Sequence, residues 1–155
     1  MQQYQQLSDD VLSHRHTFTI ETLEITERLL HINGDHYTCW NLRKDTLLHL
    51  FENMSAEERV QACVNELKLT LECVRKSPKS YWVWLHRVWT LRVMPATKQV
   101  WQKELGLVSM MLDLDHRNCR SSFIAILNMF SSWMGLQEDV HRCVIENVRI
   151  RWPPI

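Results

Sequence analysis

Five residues, Ser77-Pro78-Lys79-Ser80-Tyr81, combine the chemical types that recognise an anion. Ser77 followed by Pro78 reads as a helix N-cap and first helical position, because proline lacks the N–H that a first turn leaves unpaired. The dipole and free N–H groups of a helix start favour negative charge. Lys79 and Tyr81 would add an ammonium and a phenol hydroxyl, which suits a phosphate or diphosphate. A lysine in a first helical turn is also commonplace on surfaces, so the residue types alone leave both readings open.

Other candidates are weaker. His14-x-His16 has two possible metal ligands, but on a helix they point to different faces, and no third ligand follows at a useful spacing. His86 stands one residue before Arg87 and reads as a packed or capping histidine. No GxxxxGK[ST], HExxH, GxSxG or GxGxxG pattern is present. Cys39, Cys63, Cys73, Cys119 and Cys143 form no CxxC pair and are odd in number, which suits reduced, buried thiols better than a disulfide framework or zinc site. The chain alone offers no catalytic centre and no metal site.

The elements that would position Lys79 and Tyr81 come from an internal repeat. Leu23, Thr26, Tyr37, Trp40 and Arg43 are matched by Leu67, Thr70, Tyr81, Trp84 and Arg87, each pair 44 residues apart. Asp35 takes the place of Lys79 in the first copy, so only the second copy can build a cationic turn. A weaker third copy begins at Glu104-Leu105, 38 residues after Glu66-Leu67, and ends near Asp115-His116-Arg117-Asn118.

Each copy reads as two helices. Val60, Val64, Leu67, Leu71 and Val74 are spaced 4, 3, 4 and 3, an apolar stripe on one helix. Ser55-Ala56-Glu57-Glu58 is a capping-box pattern at its start, and Arg75-Lys76 suits its C-terminus. Tyr81, Trp84, Leu85 and Val88 then share a face of the next helix. Asn33 and Asp115 hold the cap position of Ser77 in the other copies. The expected fold is all-α: about six helices as stacked antiparallel hairpins, with repeats over 12–51, 56–94 and 98–118 in a domain of residues 1–118. Residues 119–155 read as a divergent helical or disordered tail.

Within the Tyr-x-x-Trp-x-x-Arg string the scaffold reading is the stronger. Tyr37, Trp40 and Arg43, like Trp84 and Arg87, fall on one helical face, where rings fill space between hairpins. The arginine fork can bond carbonyls or a carboxylate of the neighbouring repeat.

Composition narrows the function classes. The chain has 155 residues, enough for one domain, with 45% hydrophobic and 23% charged residues, unlike a disordered chain. Lys plus Arg and Asp plus Glu are both 18, which gives no basic excess for nucleic acid or an anionic membrane. Only 3 Gly and 4 Pro argue against a turn-rich β fold. Phe123 to Phe130 is too short to span a bilayer, and Met1 to Gln6 lacks signal-peptide order, so a cytoplasmic location is expected.

Asn33-Gly-Asp-His-Tyr-Thr-Cys-Trp-Asn-Leu-Arg43 resembles the protein prenyltransferase α-subunit repeat. Residues Glu66 to Leu91, with Lys79-Ser80-Tyr81 and Trp84-Leu85-His86-Arg87, resemble the Rab geranylgeranyltransferase (type II) α-subunit family in particular. The likeness covers about Leu12 to Asn118. It implies helical hairpins wrapped around a zinc-bearing β subunit that also holds the isoprenoid. It further implies geranylgeranyl diphosphate as substrate, and Rab GTPases presented by a Rab escort protein as acceptors. Lys79 and Tyr81 match the family's Lys-x-Tyr turn, which faces the diphosphate. Leu85 departs from the family's Trp-His-His-Arg string, and the third copy breaks at Cys119, so the chain reads as a truncated member. A helical interaction module without transferase activity is the alternative. The α subunit shared by farnesyltransferase and the type I enzyme is a further one.

Overall fold

The computed structural model describes residues 2–95 and 98–114. Six helices and no strand occur among them: α1 (Gln2–Ser13), α2 (Ile20–Ile32), α3 (Tyr37–Phe51), α4 (Ala56–Lys76), α5 (Tyr81–Val93) and α6 (Lys98–Leu114). The fold is the all-α hairpin-repeat type. Asp115, Cys119, Cys143, the end of the third copy and the expected tail lie outside the described residues.

The chain divides into two compact units, residues 1–95 and 96–155. In the second, α6 covers the start of the third copy. In the first, α2 pairs with α3 and α4 with α5; α2 also packs on α4 and α3 on α5, which stacks the two hairpins. Helix α1 lies against α2 and buries Leu7 and Val11, four residues apart on one face.

Local chemistry sets the boundaries. The Thr19 side chain accepts from Thr22 N–H to start α2, and His36 Nδ1 accepts from Cys39 N–H to start α3. Ser55 and Glu58 form the reciprocal capping box that opens α4. Pro95 follows Met94, the last cap of α5, and disfavours helical backbone before it.

The loop between α4 and α5 differs from the sequence expectation. Ser77 is the C-cap of α4, its N–H donating to the Cys73 carbonyl. Ser80 is the N-cap of α5, which begins at Tyr81. Pro78 therefore sits in the connecting turn, and the Ser80 hydroxyl caps the new helix by accepting from the Val83 N–H. Asn33 likewise closes α2, and His36 opens α3.

The buried faces are also rotated from the expected stripes. Val60, Val64, Leu67 and Leu71 are only half-buried, whereas Cys63, Glu66, Leu69, Thr70, Cys73 and Val74 form the buried face of α4. On α5, Trp84 and Val88 are buried, but Tyr81 and Leu85 are 57% and 46% exposed. The cause is polar. The contact face carries small and charged side chains that satisfy one another, which a purely apolar template passes over. Thr26, Thr46, Thr70 and Thr90 each donate to the carbonyl four residues earlier, so a buried hydroxyl needs no partner from another helix.

Candidate functional site

Each repeat builds the same scaffold contacts. Trp40 Nε1 donates to the Gly34 carbonyl at 2.8 Å, and Trp84 Nε1 donates to the Pro78 carbonyl at 3.0 Å. In each case an aromatic ring on the second helix pins the turn before that helix. Arg43 donates to the Leu23 carbonyl and Thr26 hydroxyl; Arg87 donates to the Leu67 carbonyl and Thr70 hydroxyl. Trp40, Arg43, Trp84 and Arg87 are each 3% exposed, so these side chains are interior ones. Tyr37 is not: it is 51% exposed, and its ring meets Trp82 of the second hairpin at the surface rather than in the interior.

The first repeat is locked to the second by charge. Arg43 Nε reaches Glu66 Oε2 at 2.8 Å, and a terminal guanidinium nitrogen reaches Oε1 at 2.8 Å, a two-point ion pair. His86 Nε2 lies 2.9 Å from Glu66 Oε2, and its ring packs against Trp40 and Trp89. Burial pushes the His86 pKa down, the Glu66 hydrogen bond and charge push it up, and Arg43 and Lys44 add to the fall; the net shift is downward. His86 is thus neutral and donates to the carboxylate. Burial would raise the Glu66 pKa, but the His86 hydrogen bond and the charge and hydrogen bonds of Arg43 hold it below its usual range. Sequence reasoning expected the arginine fork on a carboxylate of the neighbouring repeat and a packed His86, but did not identify Glu66 as the partner they share. The available signal was the recurrence of Glu66-Leu67 as Glu104-Leu105 in the third copy.

Lys79 and Tyr81 flank the Ser80 N-cap on the turn that opens α5, and both are exposed. The Tyr81 ring meets the Trp82 ring edge-on at 5.3 Å, and Trp82 in turn lies 4.6 Å from the Tyr37 ring of the first repeat. An ammonium, a phenol and a helix start therefore share one edge of the molecule. These are donor types that suit an anion. A hollow of about 440 Å³ beside Asp10, Arg28 and His31 lies on the α1–α2 side, and neither Lys79 nor Tyr81 lines it.

The remaining candidates are placed as follows. Helix α1 ends at Ser13, so His14 and His16 lie beyond it, and His14 Nδ1 sits 2.8 Å from the Asp10 carbonyl. Among the described residues no group of three His, Cys, Asp or Glu side chains could hold a metal, and no helix is long and apolar enough to cross a membrane. Cys39, Cys63 and Cys73 are free and buried, and burial pushes their thiols up to about 12, 11 and 11. They are protonated fillers of the core, not nucleophiles.

Comparison with known proteins agrees with the repeat geometry. The protein prenyltransferase alpha subunit repeat matches residues 20–50 and 63–94, which fall on the α2–α3 and α4–α5 hairpins. A Candida albicans protein named geranylgeranyl transferase type-2 subunit alpha is 36% identical over 121 residues, covering 74% of this chain and 33% of the relative. Proteins of the same name from Saccharomyces cerevisiae and Rattus norvegicus are 33% and 36% identical over 74% of this chain, covering 35% and 20% of themselves. The chain thus spans about a third of the yeast relatives and a fifth of the rat one. With the same tryptophan and arginine contacts at matching positions, the two stacked hairpins are copies of the protein prenyltransferase alpha subunit repeat, matched at residues 20–50 and 63–94.

Proposed function

We propose that this chain serves as α-subunit sequence of a type II geranylgeranyltransferase, lending a scaffold and one cationic edge to a β-subunit partner. The β subunit would carry the zinc and the isoprenoid pocket. The reaction would transfer geranylgeranyl from its diphosphate to C-terminal cysteines of Rab GTPases presented by a Rab escort protein. The names of these relatives, all type-2 alpha subunits, favour this branch over the farnesyltransferase and type I enzymes.

The observation that carries the reading is the turn at Lys79, Ser80 and Tyr81, in which two exposed donor side chains flank the buried Ser80 cap of α5. As the bond from geranylgeranyl to its diphosphate breaks, negative charge grows on the departing oxygens. The Lys79 ammonium and Tyr81 hydroxyl are donors of the type that stabilise such charge, and the α5 dipole has the matching sign. The rigid Trp84 contact beneath the turn keeps these donors from having to reorganise. The buried Trp40, Arg43, Trp84 and Arg87 contacts are scaffold contacts, which also suits a second reading: a hairpin module that binds the partner without supporting transfer.

Co-expression with a type II β subunit, followed by size-exclusion chromatography, tests the partnership. Co-elution as a one-to-one complex is expected. A chain that elutes alone at every concentration would remove the β subunit from both readings.

A further inference from the structure

The first repeat holds the turn that the second repeat presents. Ser80 is a buried N-cap whose hydroxyl donates to Asp35 Oδ1 at 2.7 Å and lies 3.4 Å from the Gly34 carbonyl. Asp35 is itself fixed, since its N–H donates to Asn33 Oδ1 at 3.1 Å. Trp40 fixes the Gly34 carbonyl from below. Asp35 is also the repeat equivalent of Lys79, 44 residues earlier, so the same turn position carries opposite charge in the two copies. The acidic copy reaches across to the cap between Lys79 and Tyr81.

We propose that Asp35 is a positioning residue for the Lys79–Tyr81 edge, an inference that rests on the reading of that edge as a diphosphate contact. Asp35 does not touch the anion. Its carboxylate accepts the Ser80 hydroxyl proton and thereby sets where α5 begins. The alternative start, with Ser77 as N-cap, would draw Lys79 and Tyr81 into the first two turns and re-aim both side chains. The acceptor therefore matters more than the charge. A carboxylate this close to an anion site opposes ligand binding by simple repulsion. Its retention as a hydrogen-bond partner and its cost as a charge act in opposite directions, and substitution separates them.

Inorganic diphosphate titrated into the isotope-labelled full chain, followed by amide chemical shifts, provides the test. Saturable shifts at Ser80, Tyr81, Trp82 and Val83 are expected for the wild type. Asp35→Ala removes the acceptor and is expected to weaken binding about tenfold, the value of one hydrogen bond to a charged group. Asp35→Asn keeps an acceptor oxygen and removes the charge, so its binding is expected to equal the wild type or exceed it by up to roughly fourfold. A purely structural role would instead make the affinity of both variants follow their thermal midpoints. Equal affinity in Asp35→Ala and wild type would overturn the positioning role and leave the diphosphate edge standing. So would loss in Asp35→Asn as large as in Asp35→Ala. Absence of wild-type shifts at these amides would overturn the diphosphate edge itself, and the positioning role with it.

Discussion

Arg43 and Glu66 come from different repeats and meet in the interior with both ends of the pair 2.8 Å apart, 3% and 2% exposed. The pair exists because stacking two hairpins buries a helix face that also has to fix their register. Apolar contacts tolerate sliding, whereas a planar fork on a carboxylate does not. Arg43 also grips the Leu23 carbonyl and Thr26 of α2, so one side chain ties α3 to α2 within its hairpin and to α4 of the next. His86 closes the carboxylate from α5.

Removing one partner should expose that dependence. Glu66→Gln leaves the buried Arg43 guanidinium with the half-exposed Glu27 carboxylate, 3.4 Å away, as its remaining counter-charge, so the expected cost is about 3 kcal/mol, the lower end for breaking a buried pair. Urea unfolding followed by circular dichroism measures it. A loss below about 1 kcal/mol would mean that the pair is solvated in solution.

The His86–Glu66 contact gives stability a defined pH dependence. The folded His86 pKa lies below its ordinary 6.5, so the unfolded chain binds the proton first as pH falls. Full stability is therefore present above 6.5 and is lost progressively below it. Glu66, held below 4.5, contributes in the same direction: its share is present above that value and is lost as pH falls through its folded pKa. Urea midpoints should decline as pH falls below 6.5, and His86→Gln should flatten that decline. An unchanged slope in His86→Gln would place the titration elsewhere.

Trp84 should be a stability residue. It is 3% exposed and its Nε1 supports the Pro78 carbonyl. Trp84→Ala is expected to cost about 3–5 kcal/mol. Thermal unfolding checks it, and a shift of no more than a degree or two would mean that the ring is replaceable by solvent.

Much of this architecture was legible in the residues. The 44-residue offset reports one hairpin followed by its copy, and it continues in the structure through Thr46 and Thr90 and through Leu47 and Leu91, all buried. The Ser55–Glu58 box marks a helix start because both of its partners are local in sequence. Harder to see was the choice between Ser77 and Ser80 as the α5 cap. That choice depends on Asp35, 45 residues away, and no local rule contains it. The rotated face of α4 was hidden for a similar reason: Glu66 counts as polar until Arg43 and His86 are brought to it. Tyr37 and Tyr81 fit the apolar period, but their hydroxyl-bearing rings stay at the surface beside Trp82.

The most direct measurement is geranylgeranyl transfer to a Rab substrate by this chain in complex with a type II β subunit, comparing wild type with Lys79→Ala and Tyr81→Phe. Each variant removes one donor to the departing diphosphate, and the expected cost in turnover for Lys79→Ala is on the order of a hundredfold, or about 3 kcal/mol. Complex formation and thermal midpoint should stay at wild-type values, since both side chains are exposed. Wild-type turnover in Lys79→Ala would contradict the assignment and reduce the Lys79–Tyr81 turn to a helix start.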